Sequence, residues 1–149
     1  MRTALDEAEQ ALGTDDVPVG CVIVPSDDPS GSVLGRGHNA REAWHDPTAH
    51  AELVAIREAA ERLGSWRLTG CTLVVTLEPC TMCAGAIVLS RVDRVVFGAY
   101  DEKAGAAGSV WDLVRDRRLN HRPEVVGGIE AEASTRLLRE FFAARRGSR

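Results

Sequence analysis

Near-continuous apolar runs set between stretches of helical periodicity constrain this chain more than any other feature of its sequence. Gly20-Cys21-Val22-Ile23-Val24 and Cys71-Thr72-Leu73-Val74-Val75 are the clearest of them. A strand with one face in water alternates apolar and polar residues, so unbroken apolar strands require cover on both faces. The reading along the chain is a strand over Val17 to Pro25 and a return strand over Val33 to His38. Asp27-Asp28-Pro29-Ser30-Gly31-Ser32 joins the two with the composition of a hairpin loop. Further strands follow over Cys71 to Thr76, Arg94 to Phe97 and Glu124 to Val126. Helices over Met1 to Leu12, Thr48 to Leu63, from Cys80 to Leu89, and over Ile129 to Arg146 supply the covering layers. This alternation gives a layered α/β domain.

At 149 residues the chain is expected to form one domain, 1–149, burying roughly two thirds of its unfolded surface. The segment Met1 to Leu12 carries Asp6, Glu7 and Glu9 and lacks an apolar core run, which argues against a signal peptide or a spanning helix. The expectation is a cytoplasmic protein with reduced cysteines. The formal net charge is −4, unhelpful for meeting a phosphate backbone, but it is unevenly spread. Residues 1–64 hold five Arg against twelve acidic side chains, a balance of −7, whereas from residue 110 onward nine Arg face six acidic, a balance of +3. Either these are solvated helix faces, or the basic carboxyl-terminal third touches a polyanion.

His50-Ala51-Glu52 and Pro79-Cys80-Thr81-Met82-Cys83 offer one imidazole, two thiols and a carboxylate at telling spacings. Cys80 and Cys83 stand three apart, so on a helix they are neighbours and can reach one metal ion. Pro79 suits a helix's first turn, and the amides there favour thiolates. His50 falls near the start of the helix read from Thr48, with Leu53, Ile56, Ala60 and Leu63 as its apolar stripe. Three ligands leave one coordination position of a tetrahedral zinc for water, as in a catalytic site. Residues two apart lie roughly 200° apart around a helix, so Glu52 can miss the metal yet reach that water. Zinc brings the water's pKa towards about 7, giving hydroxide near neutrality, and Glu52 is placed to shuttle its protons.

A Cys-x-x-Cys pair alone also occurs in redox motifs and structural zinc sites. A closed structural shell would need Cys21 or Cys71, both in apolar runs where a cysteine is usually a small buried hydrophobe. His38, His45 and His121 read as surface or hydrogen-bonding residues.

The pattern His-x-Glu followed by Pro-Cys-x-x-Cys is the established signature of zinc-dependent base deaminases. Asn39, His45 through Glu52, Thr76 through Cys80, Met82 through Ala86, Arg94 through Ala99, Gly105 through Ser109 and Asn120-His121-Arg122 together resemble the bacterial tRNA-specific adenosine deaminases, within the cytidine deaminase-like superfamily. The likeness runs from about Asp16 to the carboxyl terminus. It implies a three-layer α/β/α fold with a central mixed five-stranded sheet, a Zn²⁺ cofactor on His50, Cys80 and Cys83, Glu52 as catalytic residue, and a homodimer. The implied reaction is hydrolysis of the wobble adenosine of a tRNA anticodon to inosine. Asn39 would bond the base, and Asp101, Lys103 and Ser109 would lie near the anticodon stem-loop. The chain departs from the resemblance at Ala40-Arg41-Glu42-Ala43-Trp44, where a more basic stretch is expected after Asn39, and at its short carboxyl-terminal Arg145-Arg146-Gly147-Ser148-Arg149. Because the zinc motifs are shared across the superfamily, deamination of a free base or nucleoside of the guanine or cytosine type stays open. So does an RNA-binding module with structural zinc, although Glu52 would then have no task.

Overall fold

The structure is a computed structural model that describes residues 1–148. Arg149, part of the basic carboxyl-terminal count, lies outside the described residues. The elements are α1 (Arg2–Gln10), continued by a 3-10 turn over Ala11–Thr14, β1 (Gly20–Pro25), β2 (Gly35–His38), α2 (Arg41–Trp44) and α3 (Ala51–Leu63). They continue as β3 (Cys71–Leu77), α4 (Thr81–Ser90), β4 (Arg94–Ala99), β5 (Glu124–Val126) and α5 (Ala131–Arg146), with a second 3-10 turn at Leu113–Arg115. The sheet order is β2-β1-β3-β4-β5. β1 is antiparallel to both β2 and β3, while β3, β4 and β5 run parallel. The sheet is therefore mixed and five-stranded, and helices cover both faces.

Side chains alternate between faces along each strand. Cys21 and Ile23 of β1, Leu73 and Val75 of β3, and Val95 of β4 join Ala51, Ala55, Ala59 and Ile87 of α3 and α4 in the larger core. Val22, Val74 and Val96 point the other way and meet Met1 and Ala4 at α1. α5 shares that second face, packing on β4.

Several boundaries differ from the sequence reading. β1 begins at Gly20 rather than Val17, and β2 at Gly35 rather than Val33, although Leu34 N–H already bonds Ile23 O at 2.8 Å. α3 begins at Ala51 rather than Thr48, because Asp46 Oδ1 accepts the Thr48 amide at 2.8 Å and its hydroxyl at 2.7 Å, turning the chain before the helix starts. The buried stripe of α3 is Ala51, Ala55 and Ala59, not the set Leu53, Ile56, Ala60 and Leu63; Ile56 and Ala60 pack only partly, and Leu63 is 44% exposed. The reason is close approach. A Cβ on Gly37 would fall 2.5 Å from Ala51 O and 2.8 Å from the Val54 Cβ, so α3 lies tight on β2 and its closest-facing residues are small. Pro79 precedes the N-cap of α4 instead of occupying its first turn. The one-turn helix α2 and the Leu113–Arg115 turn are absent from the sequence reading.

Candidate metal centre

Two helix starts converge at one place. His50 is the N-cap of α3 and Cys80 the N-cap of α4, both with extended backbone, and Cys83 follows one turn into α4. The position of His50 is fixed from outside by Asn39, at the end of β2, whose Oδ1 accepts the Ala51 amide at 2.9 Å. One of the amides left without a partner at the start of α3 is thereby satisfied, and the bond leaves the Asn39 amide NH₂ to face elsewhere. The tight packing of α3 on β2 carries this anchoring into the sheet.

His50 Nδ1 lies 3.6 Å from Cys80 Sγ and 3.4 Å from Cys83 Sγ, and the three ligand atoms all fall within 4.8 Å of one another. Zinc bonds of about 2.3 Å to sulfur and about 2.0–2.1 Å to nitrogen, at a tetrahedral angle, would separate N from S by about 3.5–3.6 Å. The donor set and its spacing fit zinc. Neither Cys21 nor Cys71 joins the group; both are free and buried, as small hydrophobes. His38 Nδ1 contacts Glu7 Oε2 at 3.1 Å, His121 Nε2 contacts Val92 O at 2.7 Å, and His45 is exposed on left-handed backbone.

The electrostatics explain how two thiols coexist so close together. Cys80 is drawn down to about 3, first by its hydrogen bond with Cys83, then by His50. Cys83 moves the other way, raised by the same bond to Cys80 and by burial. Of the two, Cys80 is the more readily ionised and Cys83 the less. A divalent ion held by the trio would favour the thiolate form of both. Glu52, 4% exposed, accepts a bond from Cys83 Sγ at 3.4 Å, and burial raises its carboxyl above the ordinary range. A buried carboxylate with a raised carboxyl beside a ligand cluster marks a candidate for proton transfer.

The residues expected to meet RNA are scattered differently. Asp101 Oδ1 accepts the amides of Lys103 at 3.0 Å and Ala104 at 3.1 Å, shaping a turn. Lys103 is exposed, and together with Tyr100, Asp101, Leu138, Arg139 and Phe142 it borders a cavity of about 610 Å³ between this turn and α5. Ser109 instead donates its hydroxyl to Glu78 Oε1. Three of the carboxyl-terminal arginines are already paired: Arg115 with Asp112, Arg118 with Asp116, and Arg145 with Asp15.

Sequence reasoning passed over two buried carboxylates that build the surroundings. Glu78, 2% exposed, collects the amides of Asp101, Ala107 and Ser109 as well as the Ser109 hydroxyl. Burial raises its carboxyl, but the Ser109 hydroxyl and the three amides outweigh that and hold it below its usual value. Asp16, 2% exposed, caps α2 by accepting the amides of Glu42 at 2.8 Å and Ala43 at 3.2 Å. For Asp16 the available signal was the apolar run Val17-Pro18-Val19 that follows it directly.

Residues 1–99 match the model of the cytidine and deoxycytidylate deaminase zinc-binding region. A Bacillus subtilis tRNA-specific adenosine deaminase is 48% identical over 142 residues, covering 95% of this chain and 86% of its own. This chain belongs to the tRNA-specific adenosine deaminase family of zinc-binding deaminases. A solved structure from work on A-to-I editing by tRNA:A34 deaminases at the wobble position of transfer RNA matches the deaminase with a TM-score of 0.86 and 43% identity, over 93% of this chain and 97% of that one. Guanine deaminase from Nitrosomonas europaea matches with a TM-score of 0.79 at 26% identity, over 95% of this chain and 82% of its own. The deaminase is an enzyme of the hydrolytic type, and among its described residues no helix is long and apolar enough to cross a membrane.

Proposed function

We propose that this deaminase, acting as a single domain over 1–149, converts adenosine to inosine at the wobble position of a tRNA anticodon. The observation that carries the reading is the pairing of the His50, Cys80 and Cys83 trio with a buried carboxylate at Glu52, in a chain 48% identical to a tRNA-specific adenosine deaminase over 95% of its length. The likeness to guanine deaminase from Nitrosomonas europaea is weaker, at 26% identity.

In this reading His50, Cys80 and Cys83 hold Zn²⁺. Zinc there supplies Lewis acidity, which draws the pKa of a water towards about 7. Glu52 accepts a proton from the attacking water as its oxygen bonds to the purine carbon bearing the amine. The same carboxyl returns that proton to the neighbouring ring nitrogen, then carries the second water proton to the amine, which leaves as ammonia. The target base must leave its stack to reach the site, and an anticodon loop offers unstacked bases readily. Asn39, its Oδ1 committed to Ala51, keeps its amide NH₂ for an acceptor on the purine edge. Asp101, Lys103 and Ser109 belong to the loop that meets the RNA; Lys103 contributes charge at the cavity edge, while Ser109 acts through its bond to Glu78. Tyr100 and Phe142, 58% and 44% exposed, offer faces on which loop bases stack. A cytoplasmic homodimer completes the proposal, and exposed Trp66 and Leu89 are apolar surface that a second copy would cover.

The test is to incubate the protein with total tRNA, with an anticodon stem-loop, and separately with adenosine, guanine and cytosine, measuring inosine and ammonia. Inosine at the wobble position, with free compounds left intact, is expected. Efficient ammonia release from guanine with tRNA untouched would replace this substrate with a free base.

A further inference from the structure

Glu78 is a buried carboxylate with no ion-pair partner among the described residues and no place among the metal-ligand candidates. Burying such a charge is costly unless hydrogen bonds replace its hydration. Here every replacement comes from a single loop. Oε1 accepts the Asp101 amide at 3.1 Å and the Ser109 hydroxyl; Oε2 accepts the amides of Ala107 at 3.0 Å and Ser109 at 3.1 Å. The loop closes so tightly that a methyl group at Gly105 would fall on the Glu78 carboxylate. A further bond, from the Ala106 amide to Pro79 O at 2.7 Å, ties the loop to the residue just before Cys80. Glu78 itself is held at the end of β3 by its amide bond to Ala99 O at 2.9 Å. An apolar side chain could fill this space at less cost, whereas a carboxylate gathering four donors fixes where each of them lies.

We propose that Glu78 is a positioning residue, whose carboxylate locks the loop from Asp101 to Ser109 in register with the chain that delivers Cys80. Substrate held by the loop is then set at a fixed place relative to the metal ligands, two residues along the backbone from the lock. This inference rests on the reading that the loop meets the RNA. Replacing Glu78 by Gln keeps the shape but points an NH₂ at donors: a backbone amide facing it loses its bond, only the Ser109 hydroxyl can turn to accept instead, and the remaining bonds no longer reach a charge, so the loop loosens. A loosened loop must be ordered again on binding, which weakens substrate capture more than the chemical step.

The experiment compares wild type with Glu78→Gln in zinc content, amide exchange and steady-state kinetics on an anticodon stem-loop. Hydrogen bonds to charged groups are each worth enough that KM should rise roughly ten- to hundredfold, with kcat within a few-fold and zinc content unchanged. The amides of Asp101, Ala107 and Ser109 should exchange faster. Should Glu78→Gln fail to fold, Ser109→Ala removes one donor only, and it should speed exchange at Ala107 and raise KM several-fold. An unmoved KM in the variant that folds, or a fall in zinc and kcat at constant KM, would overturn the role of Glu78. Exchange is read without substrate, so the lock is scored separately: a wild-type protein that forms no inosine defeats the RNA reading, whereas wild-type inosine with unmoved KM defeats only the lock.

Discussion

Replacing Glu52 by Gln separates holding the metal from using it. The side chain is 4% exposed and meets Cys83 Sγ at 3.4 Å, and the titratable groups acting on it are the three candidate ligands and Cys21, none of them a carboxyl. An amide of the same shape cannot accept and return protons, and no second carboxyl stands ready to substitute. A positioned proton carrier contributes about 10²–10⁴ in rate. Since Glu52 is assigned the transfers to both ring nitrogen and leaving amine, the loss should lie near the upper end, about 10⁴, or about 5.4 kcal/mol of barrier. Zinc content should stay at the wild-type value, because His50, Cys80 and Cys83 are untouched. The assay is single-turnover inosine formation on an anticodon stem-loop with enzyme in excess, so that product release does not mask the chemical step, alongside metal analysis by mass spectrometry. KM should move little, as the change lies at the reacting atoms. Turnover within tenfold of wild type in a zinc-replete sample would refute the proton-carrier role, and loss of zinc would make Glu52 a ligand instead.

Cys83→Ala removes a thiolate and tetrahedral geometry together, so purified protein should contain at most a small fraction of the wild-type zinc; full retention would reveal a ligand outside the trio. Lys103→Glu reverses an exposed charge at the edge of the cavity beside α5 and should weaken stem-loop binding several-fold at low salt, with a shallower salt slope and unchanged zinc; equal slopes in a filter-binding series would remove Lys103 from the interface. Asp16→Ala deletes the cap on α2 and should cost about 0.5–2 kcal/mol at neutral pH. Burial raises the Asp16 carboxyl, yet the bonds from Glu42, Thr14, Ala43 and Arg41 together hold it below 3.8. Its contribution is therefore present above pH 3.8 and fades as pH falls through the lower folded value. The gap in melting temperature between wild type and Asp16→Ala should narrow in acid, and a gap independent of pH would show that the carboxylate is not the stabilising form.

What the sequence by itself determined is the chemistry and the layers. Ligand identity and spacing are local properties: Cys80 and Cys83 lie one turn apart wherever that helix sits. The helical angle expected between His50 and Glu52 does not apply, because His50 is the extended N-cap of α3 and not part of the helix, so the fold placed the Glu52 carboxylate beside Cys83. Apolar β1 and β3 demanded cover on both sides, and α1 with α5 opposite α3 with α4 supply it. The tertiary structure alone decided which atoms those residues have left to use. Asn39 is half spent on the start of α3, Arg145 is taken by Asp15, and Ser109 by Glu78, because each bond joins segments distant in the chain. The buried stripe of α3 escaped periodicity for the same reason: glycine at Gly37 lets alanines outrank leucines, since closeness of approach depends on the partner surface as well as the helix. Glu78 carried no signal in its neighbours, as its four donors come from residues 23 to 31 positions further on, and only folding brings a loop of that separation onto one carboxylate.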